Sequence, residues 1–102
     1  MQKRSIQRGR PAGTSTYESA PARAFGSAVR EARLAQGLAQ EVLAGMAGVA
    51  RAHMGKIERG EHMPTLVIIL RIAKALNCSA ASLMAATESR LATGGPEAPE
   101  SS

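Results

Sequence analysis

Between Gln40 and Gly60 the chain reads QEVLAGMAGVARAHMGKIERG, two short stretches of helical periodicity on either side of Gly48. Leu43, Ala44 and Ala47 fall on one side of a helix running from about Gln40 to Ala47. Met54 and Ile57 fall on one side of a second, from about Arg51 to Arg59. So few residues between them force a sharp change of direction. Gly48 permits that turn without a Cβ clash, and Gly60 is placed to cap the second helix. Two helices this short cannot stand alone. Their small inner side chains, Ala44 and Ala47, must pack closely against other elements.

The remaining elements follow from the same pattern. A first helix runs from about Pro21 to Gln36, with Phe25, Val29 and Ala32 as its inner stripe, and Gly37 ends it. A fourth follows Pro64, with Thr65 as N-cap and Leu66, Ile69, Ala73 and Leu76 as the buried stripe. Ser79 caps a short fifth helix anchored by Leu83 and Met84. With 102 residues the chain makes one domain at most, and aromatic residues are only 2% of it, so the core is built from Leu, Ile, Val, Met and Ala. That favours an all-α fold of five packed helices over a strand-based one. The helical domain is expected over 21–87. Residues 1–20, rich in Arg, Gly, Ser and Thr, read as a disordered basic arm, and 88–102, with Gly94-Gly95-Pro96, as a disordered acidic tail.

Charge points to a polyanion. The formal net charge is +5, and its distribution is uneven. Residues 1–23 carry Lys3, Arg4, Arg8, Arg10 and Arg23 against Glu18, whereas 88–102 carry Arg90 against Glu88, Glu97 and Glu100. A basic arm next to a basic domain suits nucleic acid. Other classes fit poorly. The chain has no Asp, and no nucleophile-base pair or phosphate loop can be named. His53 and His62 stand nine residues apart with no third ligand, so neither a metal site nor a cofactor is expected. Cys78 is alone, which precludes an intramolecular disulfide. The longest wholly apolar run, Leu66 to Leu70, is too short to span a membrane, and no apolar stretch follows the basic N-terminus as in a signal peptide. A cytoplasmic protein, bacterial or phage-like, is expected.

The stretch from Phe25 to Met84 resembles the Cro/C1-type, or XRE-like, helix-turn-helix regulators. Phe25-Gly26, Arg33, Gly37-Leu38, Gln40-Glu41, Leu43-Ala44, Gly48-Val49, Ile57-Glu58-Arg59-Gly60 and Pro64 carry the likeness by order and spacing. The resemblance implies sequence-specific binding to double-stranded DNA, with the third helix in the major groove. It implies base contact from the outward side of that helix: Arg51, Ala52, His53, Gly55 and Lys56. Gln40 and Arg59 are expected on phosphates, and Arg33 and Glu58 as a structural ion pair. Repression is the expected mode. Helix four carries surplus apolar residues, which points to a homodimer through Val67, Ile68, Asn77 and Ala80 reading an inverted repeat. A protein partner, as for an antitoxin or an anti-activator, is the alternative reading of the same surplus.

Two departures matter. Ala39 and Ala50 stand where the family often has a Ser or Thr N-cap, at a cost of about 1 kcal/mol each. Gly55 inside a short helix costs about 1 kcal/mol more, so the third helix depends on packing or DNA. Finally, Arg8-Gly9-Arg10-Pro11 matches the core of an AT-hook. Its glycine would let the backbone lie deep in an A·T-rich minor groove while Arg8 and Arg10 extend along the floor.

Overall fold

A computed structural model describes residues 18–93 and places five helices there: α1 (Ser19–Ala35), α2 (Gln40–Ala47), α3 (Arg51–Glu58), α4 (Leu66–Ala75) and α5 (Ala80–Ala92). Among the described residues there is no strand. Phe25, Val29, Leu43, Met54, Ile57, Ile72 and Leu76 are the large fully buried side chains, and they meet in one cluster closed by Leu83 of α5. Burying such side chains stabilises by about 1.5–3 kcal/mol each. Met54 and Ile57 alone therefore offset what α3 loses through Gly55 and an uncapped start.

The helix ends show how local chemistry sets the angles. The N-caps Ala39 and Ala50 make no side-chain bond, whereas Thr65 Oγ1 accepts from Ile68 N–H at 3.3 Å and Ser79 Oγ from Ser82 N–H at 3.0 Å. Gly48, at φ 70°, closes α2 with Val49 N–H donating to Ala44 C=O at 2.9 Å. Asn77 does the same for α4 at φ 58°, with Cys78 N–H donating to Ala73 C=O at 3.0 Å. Asn is the non-glycine residue that tolerates this left-handed conformation best.

Three expectations need correction. Helix α5 runs to Ala92, five residues past the expected domain limit at 87. Its last turns are held against α1: Thr87 is buried, and Arg90 donates to Ser27 Oγ at 3.2 Å while pairing with Glu31. Ser19 and Ala20, expected in the arm, belong to α1. Of the expected stripe, Ala73 and Leu76 are buried and Ile69 half-buried, but Leu66 is 68% exposed and Ile72, outside the stripe, is fully buried. Leu66 opens the helix, and Ile68 and Ile69 are the first side chains of α4 that pack against the core.

Candidate nucleic-acid interface

Helix α3 presents two unlike sides. Met54 and Ile57 point into the core, while Arg51, Ala52 and Lys56 are exposed and His53 is half-buried. His53 packs edge-on against His62, with ring centroids 4.5 Å apart. Among the described residues no three His, Cys, Asp or Glu side chains gather as a metal site would need. The expectation that Gly55 lies on the outward side does not hold. Gly55 is buried, beneath the side chains of Arg59 and Gln40.

Behind α3 stands a buried polar hub. Glu58 accepts from Arg33 Nε at 2.8 Å on one carboxylate oxygen and from Arg33 Nη2 at 3.0 Å on the other. Arg33 Nη1 donates to Leu38 C=O at 2.8 Å, and Gln40 Nε2 donates to Glu58 Oε1 at 3.0 Å. One carboxylate thus ties α1, α2 and α3 together. The hydrogen bonds from Arg33 to Glu58 hold its guanidinium above its ordinary pKa despite the burial that opposes charge. Bidentate geometry fits a buried arginine better than a lysine. The pair was expected from the sequence. Its third member was not: Gln40 was read only as a phosphate ligand, and no spacing rule links residues 40 and 58.

Arg51 and Arg59, the described arginines expected at the DNA, have acidic neighbours. Arg51 Nη1 lies 3.4 Å from Glu41 Oε1, both side chains largely exposed. Such a pair is worth about 0–1 kcal/mol, too little to keep Arg51 from a better acceptor. Arg59 donates through Nε and Nη2 to the two oxygens of Glu61 at 2.9 and 3.1 Å. That contact holds the Glu61 carboxyl below the usual carboxylate range and raises the Arg59 guanidinium. Opposite charges on the two sides of Gly60 were the signal for it.

On α4, Leu66, Val67 and Leu70 are exposed. Ile68 is half-buried, Asn77 exposed and Ala80 half-buried at the corner where α4 meets α5. Arg8, Gly9 and Arg10 lie outside the described residues.

A family model described as helix-turn-helix matches residues 29–83, more than half of the chain. The chain belongs to this helix-turn-helix family. It is therefore a sequence-specific DNA-binding transcriptional regulator of the Cro/C1 type, in a family of regulators rather than enzymes. It is 41% identical over 56 residues to "Control protein C.SmaI" of Serratia marcescens, which covers 55% of this chain and 67% of that protein. The crystal structure of the restriction-modification controller protein C.AhdI from Aeromonas hydrophila superposes with a TM-score of 0.61 at 42% identity, over 63% of this chain and 97% of that one. The DNA-binding domain of the P22 C2 repressor superposes with a TM-score of 0.57 at 32% identity, over 59% of this chain and 79% of that one. No single helix among the described residues is long and apolar enough to cross a membrane.

Proposed function

We propose that this helix-turn-helix regulator reads its operator through α3 in the major groove, and that it is a controller of the kind found with restriction-modification genes. The observation that carries the docking is the split character of α3: Met54 and Ile57 are fully buried while Arg51, Ala52 and Lys56 stand out from the same eight residues. Arg51 is in the first turn, where a recognition helix meets base edges. It can donate two hydrogen bonds to one guanine. Ala52 suits a thymine methyl, and Lys56 a base or a phosphate. Gln40, in the first turn of α2, addresses a phosphate, and the Arg8-Gly9-Arg10 arm enters the adjacent minor groove. Repression follows if the site overlaps a promoter.

On a bound duplex, Arg51→Ala is expected to cost about 1–3 kcal/mol and to relax preference at one base pair. Gln40→Ala is expected to weaken binding evenly across sequences. Fluorescence anisotropy on a panel of single-base variants measures both. An unchanged panel for Arg51→Ala would refute the docking.

The same proposal includes a homodimer. Val67, Ile68, Asn77 and Ala80 lie at or beside the apolar outer side of α4, which Leu66 and Leu70 extend. Apolar clusters of this kind mark interfaces. Sedimentation at micromolar concentration is expected to give a dimer that Val67→Asp converts to monomer. A monomer alone, with and without DNA, would refute the dimer and favour the alternative of a different protein partner on this face.

A further inference from the structure

One contact of α3 has no part in the docking proposed above. By helical periodicity the element has two flanks. Arg51 and Gly55 lie on the flank toward α2, where Glu41 and Gln40 meet them. His53 lies on the opposite flank, between the buried Ile57 and the exposed Lys56. There its ring meets the ring of His62, with centroids 4.5 Å apart and planes inclined at 64°. Edge-to-face contact of this kind is attractive between aromatic rings. Both residues are half-buried, so part of each stays open to a ligand.

His62 stands on a braced loop. Gly60 N–H donates to Ile57 C=O at 3.0 Å and Glu61 N–H to Lys56 C=O at 2.8 Å, which ties the chain back onto the end of α3. Gly60, at φ 74°, is pressed against α1: a Cβ there would lie 2.7 Å from the α-carbon of Arg23. On the far side of His62, Met63 packs against the core and Pro64 is buried. The backbone of His53 is equally constrained, because the next residue, Met54, is fully buried. Two imidazoles on two fixed backbones therefore meet in one arrangement. A lone imidazole on a helix turns between rotamers, and a base contact that must first stop that motion loses free energy to it.

We propose that His62 is a specificity-determining residue that acts by position: it holds the His53 ring against the operator, and His53 reads a base pair other than the one read by Arg51. This rests on the docking proposed above, with α3 in the major groove. Imidazole nitrogens can donate to base edges or accept from them. Only a ring held in one orientation presents the same nitrogen each time. His62 supplies that hold from outside the recognition helix.

Four variants of the full chain test this: His53→Ala, His62→Ala, His62→Phe and the double His53→Ala/His62→Ala. Thermal unfolding reports the fold, and anisotropy on the single-base panel reports the reading. His62→Ala is expected to unfold close to the unaltered protein, since the side chain is half-exposed. Should it unfold early, His62→Leu fills the space without a ring and carries the same expectation. Preference at one base pair is expected to flatten about three- to tenfold, and that pair is the one flattened in His53→Ala. Preference at the pair read by Arg51 stays. His62→Phe keeps a ring and is expected to recover most of the loss. The double variant is expected to lose no more than His53→Ala alone. A loss spread evenly over all sequences, an unchanged panel, additive losses, or a folded His62→Phe no better than His62→Ala would overturn the proposal. Failure of the docking looks different: there Arg51→Ala, with both histidines in place, leaves the panel intact.

Discussion

Gly26→Ala is expected to destabilise the domain by about 3 kcal/mol, the upper end of the overpacking range. Helix propensity pushes the other way, since alanine improves on glycine by about 1 kcal/mol inside a helix. Geometry decides which effect wins. A Cβ on Gly26 would lie 2.2 Å from the carbonyl oxygen of Ile57 and 2.7 Å from that of Glu58. These are backbone atoms at the end of α3, with no side chain to swing away. To admit the methyl, α1 must part from α3, which unseats Phe25, Val29 and Ile57 together. Gly45 is the matched control. It lies in α2 with nothing within 4 Å of a built Cβ, so Gly45→Ala is expected to stabilise by about 0.5–1 kcal/mol. Urea unfolding of the two variants reads opposite signs from one chemical change. Equal small shifts in both would mean that α1 and α3 are not in contact as described.

Glu58→Ala is expected to cost about 3–5 kcal/mol, because it leaves Arg33 buried and unpaired. That is a large share of the 5–15 kcal/mol typical of a whole domain. The side chains of Arg33 and Glu58 are only 10% and 2% exposed, so water does not replace the lost partner. Removing both charges is a different experiment. Arg33→Met with Glu58→Leu is expected to recover most of the stability, since apolar replacement of a buried pair is often neutral. It does not restore Gln40, whose carboxamide depends on Glu58 Oε1 at 3.0 Å. The double variant is therefore expected to fold well and still bind DNA more weakly, evenly over sequences. Denaturant midpoints together with anisotropy separate the two roles of this carboxylate. Full DNA affinity in a stable double variant would show that Gln40 needs no orientation by Glu58.

How much of this was legible in the sequence depends on which physical signal each element carries. The limits of α2 and α3 were readable because Gly48 and Gly60 end them and Leu43, Met54 and Ile57 keep a clear helical period. The Arg33–Glu58 pair came through resemblance, since residues so far apart share no local period. Helix α4 was harder. Five consecutive apolar residues, Leu66 to Leu70, give no phase, so the expected stripe, which holds at Ala73 and Leu76, was carried back to the exposed Leu66 and missed Ile72. Asn77 was read only as an interface residue, although its left-handed backbone also ends α4. The last turns of α5 were read as tail because they run into the acidic, Gly94-Gly95-Pro96-containing stretch. What holds them is tertiary, through Arg90 to Ser27 and Glu31. Gly55 was placed outward by helical spacing alone, which cannot show that Arg59 folds back over it.

Selection of bound duplexes from a random DNA pool, run in parallel on the unaltered protein and on Arg51→Ala, tests base reading by α3 most directly. The account predicts that the unaltered protein enriches an inverted repeat containing a guanine in each half-site, and that Arg51→Ala enriches the same repeat with that guanine lost and its flanks intact. An identical motif from both proteins, or no enriched motif from the unaltered one, would contradict it.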